Sequence, residues 1–121
     1  MTVEDEQAVQ AAVDGELRLL DPGVRASAAR VQELLEPEFV EFGASGRRRD
    51  AGSVLDVTGS GDVSAEPPVE VTRMSGTVLA PGVVHLVHFS GHRGRKAWRS
   101  SLWRLTGTGR RMYFHQATPT D

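Results

Sequence analysis

Residues 97–118, AWRSSLWRLTGTGRRMYFHQAT, read as two strand-like runs joined by a Gly-containing turn. They carry both tryptophans, the only tyrosine and a histidine. The pattern is that of a half-buried β-hairpin whose polar members can face a cavity. Strand parity sharpens this. With Gly94-Arg95 as a two-residue turn ahead of the hairpin, Ser90 lies opposite Arg99, His88 opposite Ser101 and Leu86 opposite Trp103, all on one face. Trp103 and Leu86 suit a covered interior, and the other four are its polar groups. A one-residue change in turn length would reverse the assignment. On the last strand, a four-residue loop over 106–109 places Met112, Phe114 and Gln116 on the face of Trp103, with Tyr113 and His115 outside. A longer loop or a bulge brings in Tyr113 and His115 instead. The apolar Met112 and Phe114 favour the first arrangement.

Two further strands are expected upstream, at 69–79 and 83–92, separated by Ala80-Pro81-Gly82. Before them, residues 58–68 shift to Gly, Ser, Asp, Glu and Pro, the composition of a long loop. The N-terminal part is helical. Residues 2–20 begin with Thr2 as N-cap and Glu4 and Asp5 at the positive end of the dipole, and Val9, Ala12, Val13, Leu17 and Leu20 make one apolar stripe. Asp21-Pro22-Gly23 ends that helix. Ser27 caps a second helix to Leu35, with Ala28, Val31, Leu34 and Leu35 buried and Pro37 closing it. A short strand at 38–43 turns Phe39 and Glu41 one way and Val40 and Phe42 the other. Asp50 caps a short third helix over 51–57. Helices first and a run of antiparallel strands afterwards predict an α+β domain, one layer of helices on a curved sheet.

The 121 residues fit one domain, long enough to bury about two-thirds of the unfolded surface. The formal net charge of −2 provides no general attraction to nucleic acid or to a membrane. With no cysteine, disulfides, thiolate nucleophiles and Cys-based zinc sites are excluded together. An acidic N-terminus unlike a signal peptide, and no apolar run near the roughly 20 residues of a membrane span, point to the cytoplasm. Of the 14 basic residues, Lys96 is the only lysine.

The order of elements, together with Phe39, Glu41, Phe42, Gly43, Ser45, Gly46 and Asp50, then Arg99, Ser100, Ser101, Leu102 and Trp103, and finally Phe114, His115, Gln116, Thr118 and Pro119, resembles the nuclear-transport-factor-2-like superfamily. That superfamily includes the ketosteroid-isomerase-like and SnoaL-like proteins, and the nearest likeness is to a bacterial subfamily of unknown function. The resemblance covers nearly the whole chain. It implies a cone-shaped α+β domain with a pocket between sheet and helices, often a homodimer through the sheet. Members commonly carry Trp where this chain has Arg110, a departure in the pocket wall or core.

One scaffold of this kind hosts isomerases, dehydratases, cyclases and non-catalytic binding modules. Three functions therefore compete: a binding domain for a small, acidic organic ligand; a cofactor-free enzyme of the ketosteroid-isomerase or SnoaL type; and a dimerisation module with a vestigial pocket. The binding reading uses Phe39, His88, Arg99, Ser101, Trp103, Phe114 and Gln116. The enzymatic one uses Asp50, Glu41 or His115 as the base that moves a proton. Each has a plainer alternative: a helix cap for Asp50, a solvent-facing or arginine-paired carboxylate for Glu41, a structural or interface histidine for His115 and an ion pair for Arg99. His85, His88 and His92 do not form a metal triad, because His88 and His92 share a strand face about 13 Å apart while His85 points away. No cofactor motif is present: Gly59-Ser60-Gly61 and Gly107-Thr108-Gly109 are turns. Arg47, Arg48, Arg49, Arg93, Arg95, Lys96, Arg110 and Arg111 either rim the pocket for an anion or are solvated turn charges.

Overall fold

The computed structural model describes residues 1–57 and 68–120. Helix α1 (Val3–Arg18) starts where the Thr2 hydroxyl accepts the Asp5 N–H at 3.0 Å, with Glu4, Asp5 and Glu6 in its first turn. Asp21, expected only to stop α1, caps a four-residue helix, α2 (Pro22–Arg25), through the N–H groups of Gly23 and Val24. Ser27 then caps α3 (Ala28–Leu34) as predicted. Strands β1 (Leu35–Phe42) and β2 (Arg48–Asp50), helix α4 (Ala51–Val57) and the long strands β3 (Glu70–Ala80), β4 (Val83–His92), β5 (Arg95–Thr106) and β6 (Gly109–Thr120) follow among the described residues. The loop expected over 58–68 lies, but for Pro68, outside the described residues.

The six strands form one curved sheet in the order β2-β1-β6-β5-β4-β3. β1 runs parallel to β6, and all other neighbours are antiparallel. The helices lie on one face, so the architecture is the α+β one expected. Among the described residues, no helix is long and apolar enough to cross a membrane.

Two registers depart from expectation. The β4–β5 turn is Arg93-Gly94, not Gly94-Arg95, with φ of 53° and 78°. Both central residues are left-handed, as a type I′ hairpin turn requires. His92 therefore pairs with Arg95, Ser90 with Ala97, His88 with Arg99, Leu86 with Ser101 and Val84 with Trp103. Individual partners move by two positions. An even shift preserves parity, so the inward set survives: Leu86, His88, Ser90, Arg99, Ser101 and Trp103 still share a face.

On β6 the odd-numbered shift occurs. Leu105 pairs with Arg110 and Trp103 with Met112, as the four-residue loop predicts, but Leu102 pairs with Phe114. Tyr113 is the extra residue of a β-bulge, and every side chain after it changes face. His115 and Ala117 turn inward and are buried, while Phe114 and Gln116 turn outward.

The stripe on α1 also needs correction. Leu17 is 44% exposed, whereas Glu16 is 4% exposed. Glu16 stands one turn from Ala12 and one from Leu20, directly on the buried line; Leu17 is rotated off it by about 100°. Gly15 lets α1 come down onto β5, since a Cβ there would stand 2.6 Å from the Trp103 ring. Around this contact the core gathers Ala12, Val31, Leu35, Phe39, Val84, Leu86 and Met112.

Candidate functional site

The concave face of the sheet is filled at one end and open at the other. At the filled end Trp103 is fully buried, its indole Nε1 donating to one Glu16 carboxyl oxygen at 3.1 Å, and the Ser101 hydroxyl donates to the other at 3.1 Å. Toward the starts of β5 and the ends of β1, β4 and β6, inward positions become polar or small, and a cavity of about 750 Å³ opens beneath α1–α4. That is within the usual range for small-molecule sites. Ala97 and Ala117, both buried inward residues, leave the room that larger side chains would fill.

A polar row crosses the cavity floor over four strands: His88 on β4, Arg99 on β5, His115 on β6 and Glu41 on β1. His88 pairs with Arg99, and His115 pairs with both Ser101 and Glu41. The His115 Nδ1 and a Glu41 carboxyl oxygen are 3.2 Å apart. Burial pushes the Glu41 carboxyl upward, but the hydrogen bond and charge of His115, with Arg49 and Arg99, bring it below the usual carboxylate value. Arg99 donates from Nε to the Ser90 hydroxyl at 2.8 Å and, among the described residues, makes no ion pair. Burial lowers its affinity for its proton against the pull of Glu41 and Glu16, yet a guanidinium stays charged at any ordinary pH. His88 is 1% exposed, and its Nε2 has no hydrogen-bond partner among the described residues. Burial holds its imidazole below the usual value; Arg99 and His115 add to this and Glu16 opposes it.

Among the described residues, the cavity therefore holds a buried imidazole nitrogen with no partner and a guanidinium with no carboxylate in salt-bridge range. An uncompensated buried polar group is costly, and native proteins rarely tolerate one without a use.

Solved structures of the same shape are numerous. A protein of unknown function from Pectobacterium atrosepticum matches with a TM-score of 0.76 at 12% identity, over 100% of this chain and 99% of that one. An NTF2-like protein of unknown function from Prochlorococcus matches at 0.75 and 15% identity, over 100% and 95% of the two chains. The chain has the nuclear-transport-factor-2-like fold. A presumed dehydratase of the NTF2-like family from Streptomyces avermitilis also superimposes, with a TM-score of 0.75 at 11% identity over 96% and 98% of the chains. Neither family models nor curated proteins match the sequence.

Within this nuclear-transport-factor-2-like frame the predicted residues separate cleanly. Phe39, Glu41, His88, Arg99 and His115 line the cavity. Ser101 and Trp103 share their inward face but lie below it, joined to Glu16. Phe114 and Gln116 leave the site because of the Tyr113 bulge: Phe114 stacks at 6.2 Å from Phe42 on the outer face, and Gln116 is exposed. Asp50 is exposed and caps α4, accepting the Ser53 N–H and hydroxyl at 2.9 Å each. Those hydrogen bonds, helped by Arg48, hold its carboxyl below the usual value, which makes it a poor base. His85 points to the outer face, with its Nε2 2.8 Å from the Ser100 hydroxyl. Of the basic residues offered as a rim, Arg49, Arg95 and Lys96 do line the cavity, whereas Arg110 and Arg111 lie toward the filled end.

Glu16, Arg25 and His92 were not singled out from sequence as cavity residues. Glu16 had a readable signal, a carboxylate at helical spacing between Ala12 and Leu20. Arg25, which donates to the Leu19 carbonyl at 3.2 Å, had none, because α2 was read as a turn.

Proposed function

We propose that this domain binds a small organic acid in the cavity, with the acid group received by Arg99 beside Ser90 and His88 and the carbon skeleton against Phe39, Leu19, Leu20 and Val54. The observation that carries this reading is Arg99 itself, a cation inside the cavity wall with no carboxylate in salt-bridge range among the described residues. An acid arriving there gains charge-assisted, potentially bidentate hydrogen bonds and compensates a guanidinium already stripped of water. Calorimetric titration with a panel of alkyl and aryl carboxylates tests it. Arg99→Met should weaken the best acid at least about tenfold, the value of one lost charge-assisted bond. Equal affinity in the two proteins would refute the role of Arg99.

The contact between His115 and Glu41 favours a second reading, a cofactor-free isomerase, dehydratase or cyclase of the ketosteroid-isomerase or SnoaL type. Glu41 accepts the His115 Nδ1–H and fixes the tautomer, which leaves Nε2 to take a proton next to a substrate carbonyl and to return it elsewhere. Arg99 would stabilise the enolate oxygen. Under this reading His115→Gln abolishes solvent-deuterium exchange into a bound keto acid while leaving its affinity within a few-fold. Exchange that persists in the variant rules out His115 as the base.

The same proposal includes a homodimer through the outer face of the sheet, where Phe42, Phe114 and Leu102 lie together and Trp98 packs edge-on to Phe89 at 5.0 Å. Phe42 and Trp98 remain 38% and 39% exposed, an unusual outlay of aromatic surface for water to cover. Light scattering should give twice the chain mass, and Trp98→Lys with Phe114→Glu should halve it.

A further inference from the structure

The ladder between β4 and β5 repeats one arrangement. His88 pairs with Arg99 at the cavity floor, and four residues along each strand His92 pairs with Arg95 at the mouth. Parity puts both pairs on the inward face, and all four residues line the cavity. Both histidines leave Nε2 shielded from solvent and, among the described residues, without a hydrogen-bond partner. Among the described residues neither arginine makes an ion pair. The two pairs are about 13 Å apart along the strands. Between them lie only Ser90 and Ala97, and beside these the small Ala117 and Pro119 of β6.

The charge of the cavity fits this repetition. Arg25, Arg49, Arg95, Lys96 and Arg99 line it against the acids Glu16 and Glu41, in a chain whose net charge is −2. Both acids have partners already, Glu16 in Trp103 and Ser101 and Glu41 in His115. The surplus of positive charge is thus concentrated in the cavity while the rest of the surface is acidic, an arrangement that draws anions to the mouth.

We propose that the His92–Arg95 pair is a second acid-binding station, and that the ligand is an elongated organic dianion with an acid group at each end and a slender apolar middle. One acid is held at depth by Arg99 and His88, the other at the mouth by Arg95 and His92 with Lys96 alongside. The middle lies along Ser90 and Ala97, beside Pro119, where the small side chains leave room for it. This inference rests on the acid-binding reading of Arg99 and adds to it the length and second charge of the ligand.

Calorimetric titration at physiological ionic strength with dodecanedioate, dodecanoate and the short pair adipate and hexanoate tests the spacing. The wild-type chain should bind dodecanedioate at least about tenfold more tightly than dodecanoate, from the added charge-assisted contacts. Adipate should show no such advantage over hexanoate, because it is too short to reach both stations. His92→Gln with Arg95→Gln should reduce the dodecanedioate-to-dodecanoate ratio to near one. If dodecanoate binds and dodecanedioate binds no better, or if adipate gains as much as dodecanedioate, the second station is refuted and the first stands. If none of the four binds, the acid-binding reading of the cavity falls and takes the second station with it.

Discussion

The two halves of β5 point their odd-numbered side chains at the same concave face and meet opposite fates. In the filled half, Trp103 and Ser101 give both their donors to Glu16. In the open half, Arg99 and Arg95 stand beside His88 and His92, and neither imidazole Nε2 has a partner among the described residues. Burial alone does not separate them, since His88 and Ser101 are each 1% exposed. Satisfaction does. Along β4 and β5 the buried polar groups with complete hydrogen bonds belong to the fold and the open ones face the cavity, while Arg110 Nη1 and Arg111 Nε at the filled end also lack partners among the described residues.

The comparison can be broken from either side. Trp103→Ala should have the largest effect, about 3–5 kcal/mol of stability by urea unfolding, because it empties the floor of the core and leaves one Glu16 oxygen without its donor. Glu16→Leu should come next, at about 1–3 kcal/mol, by leaving the indole N–H and the Ser101 hydroxyl without acceptors. In the open half, Arg99→Met should change stability by less than about 1 kcal/mol, since only the hydrogen bond to the Ser90 hydroxyl is lost, no ion pair among the described residues is broken, and a half-buried charge is relieved. A loss of several kcal/mol there would make Arg99 part of the fold and erase the distinction.

A smaller effect reads the open half through pH. The His88 imidazole has a lower proton affinity folded than unfolded, where its value is 6.5. Between those two values the unfolded chain holds a proton that the folded chain lacks, so stability is full above pH 6.5 and declines as the pH falls below it. Melting temperatures on either side of pH 6.5 should show this slope, and His88→Gln should flatten it. An unchanged slope in the variant would assign the pH dependence to another group.

Much of the fold was legible because it depends on local chemistry. Thr2, Ser27 and Asp50 cap helices where their side chains predict, and the two-residue period divides Phe39 and Glu41 from Val40 and Phe42. The inward set on β4 and β5 survived an error in the turn only because the error was even. On β6 the bulge at Tyr113 exchanged His115 for Phe114 and Gln116, and no local signal announced it: Tyr113 and its neighbours suit either face. Glu16 was readable in principle, being in register with the stripe, but a carboxylate is assigned to solvent until its partners are known. Those partners are 85 and 87 residues away.

The α+β order of elements, the caps and the alternation that turns one set of β4 and β5 side chains inward can be read from the residues alone, because they follow from spacing and side-chain type over short stretches. Which polar groups meet depends on the folded arrangement. The bulge that turns His115 toward Glu41, the approach of α1 that gives Glu16 to Trp103, and the lack of a carboxylate partner for Arg99 among the described residues are long-range facts. They arise from how six strands register against one another, which no single stretch encodes.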